Sequence, residues 1–234
     1  MTGHTRALLA EGAGTFMFFF IGAGAIVATK GEDLVAVALA HGLALAVAVS
    51  SFGALSGGHF NPATTFGLAV AGKHPWPRVL TYWVAQILGA LVAGFALRYA
   101  FEFDPTALAK THIGTPGLGG GVTVLTGLVV EALLTVFLLW AVFGTAVSPL
   151  APRIAGFGIG LTVAADILVG GSITGASMNP ARWLGPAVAA NFYENWSVYV
   201  IGPLVGAALA GLSYRYVFAP PEDRAPATSV APRA

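Results

Sequence analysis

The chain has 234 residues, of which 56% are hydrophobic and only 9% charged, with a formal net charge of +1 and no cysteine. Soluble domains carry about 25% charged residues, so a chain this apolar could not keep its surface in water and belongs in a bilayer. The lack of cysteine excludes disulfides, thiolate metal sites and cysteine nucleophiles, and the near-neutral charge gives no case for nucleic acid as a partner.

Six stretches are long and apolar enough to cross a membrane as helices: residues 8–28, 34–55, 79–101, 122–147, 154–171 and 196–218. The first is no cleaved signal, because its apolar run is too long and Glu11 lies inside it. Lys30-Gly31-Glu32-Asp33 turns the chain into the second stretch. The second is followed by a Gly/Ser-rich run and then Asn61-Pro62-Ala63. Asparagine is a favoured N-cap and proline is at home in a helix's first turn, so this triplet starts a helix. The run behind it, residues 63–71, gives roughly 15 Å of helix, half of a ~30 Å bilayer core.

Turn residues 73–78 lead to the third long stretch, and the longest break, residues 102–121, is Gly/Thr-rich and reads as a loop. The fourth and fifth stretches are separated by the Ser148-Pro149 to Pro152-Arg153 turn. A second triplet, Asn179-Pro180-Ala181, then opens another half-length helix over residues 181–190. Residues 219–234 form a Pro/Ala/Arg tail that cannot pack a core and is expected to be disordered. One membrane domain therefore occupies residues 1–218.

The halves repeat. Glu11 matches Glu131 at an offset of 120, the two triplets at 118, and Tyr82, Gly89, Gly94 and Arg98 match Tyr199, Gly206, Gly211 and Arg215 at 117. Three spans per half invert the second copy, at about 122–218, relative to the first, at about 7–101, and bring the two half-helices to the midplane from opposite faces. Small-residue pairs, Gly53 with Gly57, Gly156 with Gly160 and Gly202 with Gly206, are candidate close helix contacts. With both termini cytoplasmic, that side receives Arg6, Lys73, Arg78, Arg153, Arg215, Arg224 and Arg233, against Lys30, Arg98, Lys110 and Arg182 on the other.

Broken helices are tolerated at membrane depth where they are buried in protein or line a water-filled cavity, so the pattern predicts a pore. Two positive helix ends at the midplane disfavour cations, while Asn61 and Asn179 offer amide donors to a passing oxygen. Small neutral hydrogen-bonding solutes are the expected cargo. Coupled secondary transport is the alternative, yet it usually needs titrating or ion-binding groups at the midplane, where asparagines stand instead. No nucleophile, base and orienter cluster points to an enzyme.

Residues 56–64 and 175–182, together with Glu11 and Glu131, resemble the aquaporin, or major intrinsic protein, family over residues 7–218. The resemblance implies an all-α membrane protein: a right-handed bundle of six transmembrane helices plus two re-entrant half-helices, assembled as a homotetramer in the lipid bilayer. It implies one narrow channel per protomer, passing water and excluding protons, with no cofactor and no metal. In the matching positions the aromatic/arginine constriction consists of His41, Ile167, Ala176 and Arg182, a set similar to that of plant tonoplast intrinsic proteins. Ammonia and other small neutral solutes are then possible extra cargo, with a little-selective solute facilitator as the alternative. Glu11 and Glu131 match carboxylates that buttress the re-entrant loops. His112 has two readings, outer pore lining or exposed loop histidine. Asp166 is expected to hydrogen-bond the second re-entrant loop. Trp183 stands where glycerol-conducting relatives carry Asp, which disfavours glycerol, and Val200 replaces a frequent Trp. The family implies a multi-pass protein of the cell membrane with both termini inside.

Overall fold

The computed structural model describes residues 2–223, and among these it is all helical. The long helices are α1 (Gly3–Ala28), α2 (Leu34–Ser56), α4 (Trp76–Ala100), α6 (Val124–Val142), α7 (Phe157–Gly170) and α9 (Trp196–Ser213). Between them lie the half-helices α3 (Pro62–Val70) and α8 (Pro180–Ala190) and a one-to-two-turn helix, α5 (Pro105–Thr111). Helix starts follow capping chemistry. Thr2, Asp33, Asn61, Asp104, Thr123 and Asn179 each accept a hydrogen bond from the first turn of the helix they precede.

A helix stands at each of the six expected positions, and five of the six have the length and apolarity to cross a membrane. The fifth, expected over residues 154–171, is shorter: α7 has 14 residues. Its start is delayed because Ile154 and Ala155 remain in the turn after Pro152, Ala155 with a left-handed φ of 50°. At the ends of the fourth and sixth spans, α6 and α9 each run into a π-helical turn, Phe143–Val147 and Tyr214–Phe218. Leucine, valine and phenylalanine side chains on the outward faces, such as Leu80, Val92, Leu125 and Leu161, are exposed, as lipid-facing surfaces require.

Packing repeats with the sequence. Helix α1 packs on α2 and α4 as α6 packs on α7 and α9; the half-helices cross over, α3 against α9 and α8 against α4. Helices α2 and α7 join the halves. Glycines permit the closest approaches. A Cβ on Gly89 would lie 2.2 Å from the Gly12 carbonyl oxygen, and one on its repeat partner Gly206 would lie 2.2 Å from that of Ala132. Gly156, Gly160 and Gly202 make such contacts too, but Gly53 does not, since a Cβ there meets nothing closer than 3.7 Å. Its expected partner Gly57 instead ends α2 with φ 96°. Gly89→Val is therefore expected to lower the thermal stability of the detergent-solubilised protein sharply, by overpacking of about 1–3 kcal/mol or more. Gly53→Ala should leave it unchanged or slightly raised, through the better helix propensity of alanine; equal melting temperatures for the two variants would refute this account of the helix contacts.

Two segments expected to be irregular are partly ordered among the described residues. Residues 102–121 contain α5, begun by Asp104-Pro105 with the same cap-plus-proline grammar as the two triplets. Of the tail, residues 224–234 lie outside the described residues, but Ala219 is buried and Asp223 is pinned. The Asp223 carboxylate accepts from Lys73 Nζ, in the turn after α3, and from Tyr214 Oη. Tyr214 in turn stacks on Phe143, so the tail's first residues brace the π-helical turns of both halves.

Candidate functional site

Each re-entrant loop wraps around one buried carboxylate. Glu11 accepts hydrogen bonds from Ser56 Oγ (2.6 Å), His59 N (3.0 Å), Phe60 N (2.8 Å) and Gln86 Nε2 (2.7 Å). Glu131 accepts from Thr174 Oγ1 (2.7 Å), Ser177 N (2.8 Å) and Met178 N (2.6 Å). Both side chains are completely buried, so these donors supply the solvation that water would give a carboxylate elsewhere. Tyr82 Oη and Tyr199 Oη donate to the Ser56 and Thr174 carbonyls, holding the loops from α4 and α9 at equivalent positions.

The loops end in left-handed residues, Phe60 (φ 47°) and Met178 (φ 52°), conformations unusual for side chains of this bulk. They turn each carbonyl toward the opposite half. Asn61 Nδ2 donates to Met178 O and Asn179 Nδ2 to Phe60 O, both at 2.9 Å. Each asparagine Oδ1 accepts from its own helix start, Ala63 N at 2.8 Å and Ala181 N at 3.0 Å. An amide carries two N–H groups, so each asparagine keeps a second donor beyond the one crossing the interface. Both side chains line one narrow cavity that also reaches His41, Leu45, Val142 and Arg182. Helices α3 and α8 thus present two positive N-termini to the same point, as their triplets predicted.

Farther along this cavity stand His41, Ile167, Ala176 and Arg182. The structure brings all four together. His41 Nδ1 lies 2.8 Å from the Val37 carbonyl and must donate to it, which leaves Nε2 as a lone pair accepting from Arg182 Nε at 3.2 Å. His41 is therefore a neutral ring that holds the guanidinium against one wall. Arg182 is 2% exposed, lines the cavity, and its buried Nη1 has no hydrogen-bond partner. On the other side of the asparagines, His59 lines the cavity. Thr65 Oγ1 donates its proton to Asn61 O, so the 3.0 Å contact with His59 Nδ1 is a donation from the ring, and His59 Nε2 is left an acceptor.

Beyond Arg182 the channel opens into a vestibule walled by the α1–α2 turn and residues 110–117. His112 lines it and stacks flat on Phe192, with ring centroids 3.9 Å apart. It makes no hydrogen bond to Arg182. Two ion pairs close the rim, Lys30 with Asp104 at 3.0 Å and Lys110 with Glu32 at 2.5 Å. The Ala107 N–H and Lys30 hold Asp104 below the usual carboxylate range, and Lys110 does the same for Glu32. Lowered carboxylate values place the loss of both pairs on the acid side: they persist at neutral pH and fade as pH falls through those values.

Asp166 departs from expectation. It is 5% exposed, makes no hydrogen bond to the second re-entrant loop, and its Oδ2 has no partner. Trp183 faces away from the channel and stacks on Tyr199, with centroids 5.9 Å apart. The loop-supporting Ser56, Thr174 and Gln86 were not anticipated, although the 118-residue offset of Ser56 and Thr174 was there to be read. Phe18, edge-on to His41, had no sequence signal. Among the described residues, no cluster of three or more His, Cys, Asp or Glu side chains is placed to hold a metal ion.

The sequence model of the family described as major intrinsic protein matches residues 2–214. Aquaporin TIP2-2 of Zea mays is 46% identical over 229 residues, covering 91% of this chain and 87% of that protein. Aquaporin TIP2-1 of Arabidopsis thaliana is 42% identical over 236 residues, covering 96% and 92%. The solved structure of the aquaglyceroporin from Plasmodium falciparum superposes with a TM-score of 0.83 at 22% identity, covering 92% of this chain and 96% of that one, a likeness of fold. With a family match from residue 2 to residue 214 laid over an inverted repeat and two opposed half-helices, this chain belongs to the major intrinsic protein family.

Proposed function

We propose that the chain is a passive water channel that excludes protons and other ions, with ammonia as a second small neutral cargo. The observation that carries this reading is the crossed asparagine pair. Each amide spends one N–H on the opposite loop and keeps one for solute, at the meeting point of two positive helix ends. A water oxygen accepting from both amides is oriented with its hydrogens pointing away along the channel. That orientation breaks the hydrogen-bonded chain along which a proton would hop. In the constriction Arg182 supplies fixed positive charge and a free donor, Ile167 and Ala176 supply apolar wall, and His41 sets where the guanidinium lies.

Coupled transport is the weaker reading, because the two buried carboxylates behind the re-entrant loops, Glu11 and Glu131, are committed to loop donors. The chain is a multi-pass membrane protein; we place it in the cell membrane with both termini cytoplasmic, following the basic residues. Exposed apolar faces on α2 and α7, with Leu39, Leu43 and Leu161, provide surfaces for assembly into a homotetramer.

Stopped-flow light scattering on proteoliposomes tests the function, with osmotic, ammonium and glycerol gradients run in parallel. Water and ammonia permeability should rise well above empty liposomes, and glycerol permeability should not. His41→Phe removes the acceptor of Arg182 Nε and should reduce ammonia flux more than water flux. A wild-type ammonia flux equal to that of empty liposomes would remove ammonia from the proposal, and a water flux equal to theirs would remove the channel.

A further inference from the structure

The outer rim carries a device that the channel chemistry does not use. Helix α5 is only seven residues long, yet both of its ends are tied to the same turn between α1 and α2. At its start, Asp104 caps the helix with Oδ1 and pairs with Lys30 through Oδ2. At its last turn, Lys110 pairs with Glu32. The two pairs run in opposite polarity: the turn supplies the cation to one and the anion to the other. Reversing α5, or sliding it so that either end faced the wrong partner, would put like charges together, so the pairs fix direction and register as well as proximity.

The residues directly after α5 make its register matter. His112, Ile113 and Gly114 are three successive left-handed residues, with φ of 46°, 57° and 76°. A β-branched residue in that conformation is strained and needs its surroundings to hold it. Ile113 is driven into a pocket formed with Ala23, Leu97 and Ala189, and Gly114 sits where a Cβ would be 2.8 Å from the Ala23 carbonyl. This plug leaves His112 stacked on Phe192, just past the end of the half-helix that starts at the triplet before Arg182. The loop is therefore fixed at one end by charge and at the other by an apolar plug, and the vestibule wall lies between. Lys30, Lys110, His112 and Arg182 all line that vestibule.

We propose that Lys30, Glu32, Asp104 and Lys110 are positioning residues for solute selectivity: their two opposed ion pairs hold the 104–117 segment as a rim that narrows the approach to Arg182. The pairing also neutralises the two lysines, so that of the cations Lys30, Lys110 and Arg182 lining the vestibule only Arg182 has no ion pair among the described residues. Exposed ion pairs contribute little to folding and are screened by salt, so a rim held this way can be loosened without unfolding the bundle. The inference rests on the channel reading above. Water flux tests that reading, and the ratio of urea to water permeability among conducting variants tests the rim.

The full chain is reconstituted in proteoliposomes as wild type, as Glu32→Lys, as Lys110→Glu, and as the double swap of the two, a pair in which neither side chain caps a helix. Each single reversal should raise the urea-to-water ratio, by about two- to fivefold if the lost pair has the usual strength of an exposed one. The double swap should return the ratio to wild type. A ratio unmoved by the single reversals, or a double swap as altered as the singles, overturns the proposal. Should the reversals fail to insert, the wild-type protein carries the test. Raising impermeant salt on both sides from about 0.01 M to about 1 M shortens the screening length from ~30 Å to ~3 Å and should raise the same ratio. A ratio independent of salt would overturn the proposal equally. If wild type shows no water flux above empty liposomes, the channel reading fails first.

Discussion

Glu131→Gln is expected to abolish channel activity and to destabilise the protein by about 2–5 kcal/mol, the cost of leaving one or two buried donors without an acceptor. The wild-type carboxylate takes three hydrogen bonds, two on Oε1 and one on Oε2. Glutamine keeps one oxygen and turns an NH2 group toward either the Met178 N–H or the Thr174–Ser177 donors. Donor then faces donor at full burial, and the strained left-handed turn at Met178 loses the group that holds it. Because Met178 O is the acceptor for Asn61 Nδ2, the fault reaches the opposite half of the channel. Asp166→Asn is the informative control. It removes another buried carboxylate from the same region, but one whose Oδ2 has no partner, so flux should be unchanged and thermal stability should rise. Water flux per folded protein, with melting of the purified protein in detergent, measures both. A Glu131→Gln channel that conducts normally would refute the buttress.

The contrast between these two acids shows where sequence reasoning succeeded and where it stopped. Glu11 and Glu131 were legible because the repeat places them 120 residues apart in matching helices, and a charge recurring inside two apolar spans demands a shared reason. Asn61, Asn179 and their prolines were legible for the same cause, reinforced by capping chemistry that is local in sequence. Asp166 has no counterpart in the first half, where Ala48 occupies the position 118 residues earlier, and its neighbours are set by packing between α6 and α7. Helix α5 carried a readable signal in Asp104-Pro105, obscured by the glycine-rich sequence after it. The arrest of Arg182 by His41 could not be read at all. It depends on which imidazole nitrogen is engaged by Val37, a matter of rotamer and of less than an ångström. Trp183 and Val200 border one crevice between α4 and α9, so the large side chain sits on α8 rather than on α9 with the space shared between them. Neither residue lines the channel cavity.

Arg182→Val is expected to change what passes more than whether water passes. The guanidinium lines the cavity with His41, Ile167 and Ala176, its Nε held by His41 and its Nη1 without a hydrogen-bond partner. Valine is smaller and uncharged, so the constriction widens and the local barrier to polar solutes falls. A gain on the order of tenfold in urea or glycerol permeability relative to water corresponds to about 1.4 kcal/mol, a modest demand on the loss of a buried charge and its donor. Cation and proton leakage should rise far less. The second barrier, two helix N-termini each worth about half a positive charge, remains at the asparagines and acts in series with the first. Arg182→Lys separates size from charge: it keeps the cation but not the planar fork, cannot reproduce the Nε contact to His41, and should lie between wild type and valine in solute profile. Stopped-flow measurements of water, urea and glycerol beside a pH-sensitive dye assay of proton flux distinguish the outcomes. An unchanged solute profile in folded Arg182→Val would remove this arginine from the filter, and a proton leak as large as the gain in urea would mean that the asparagine pair is no barrier of its own.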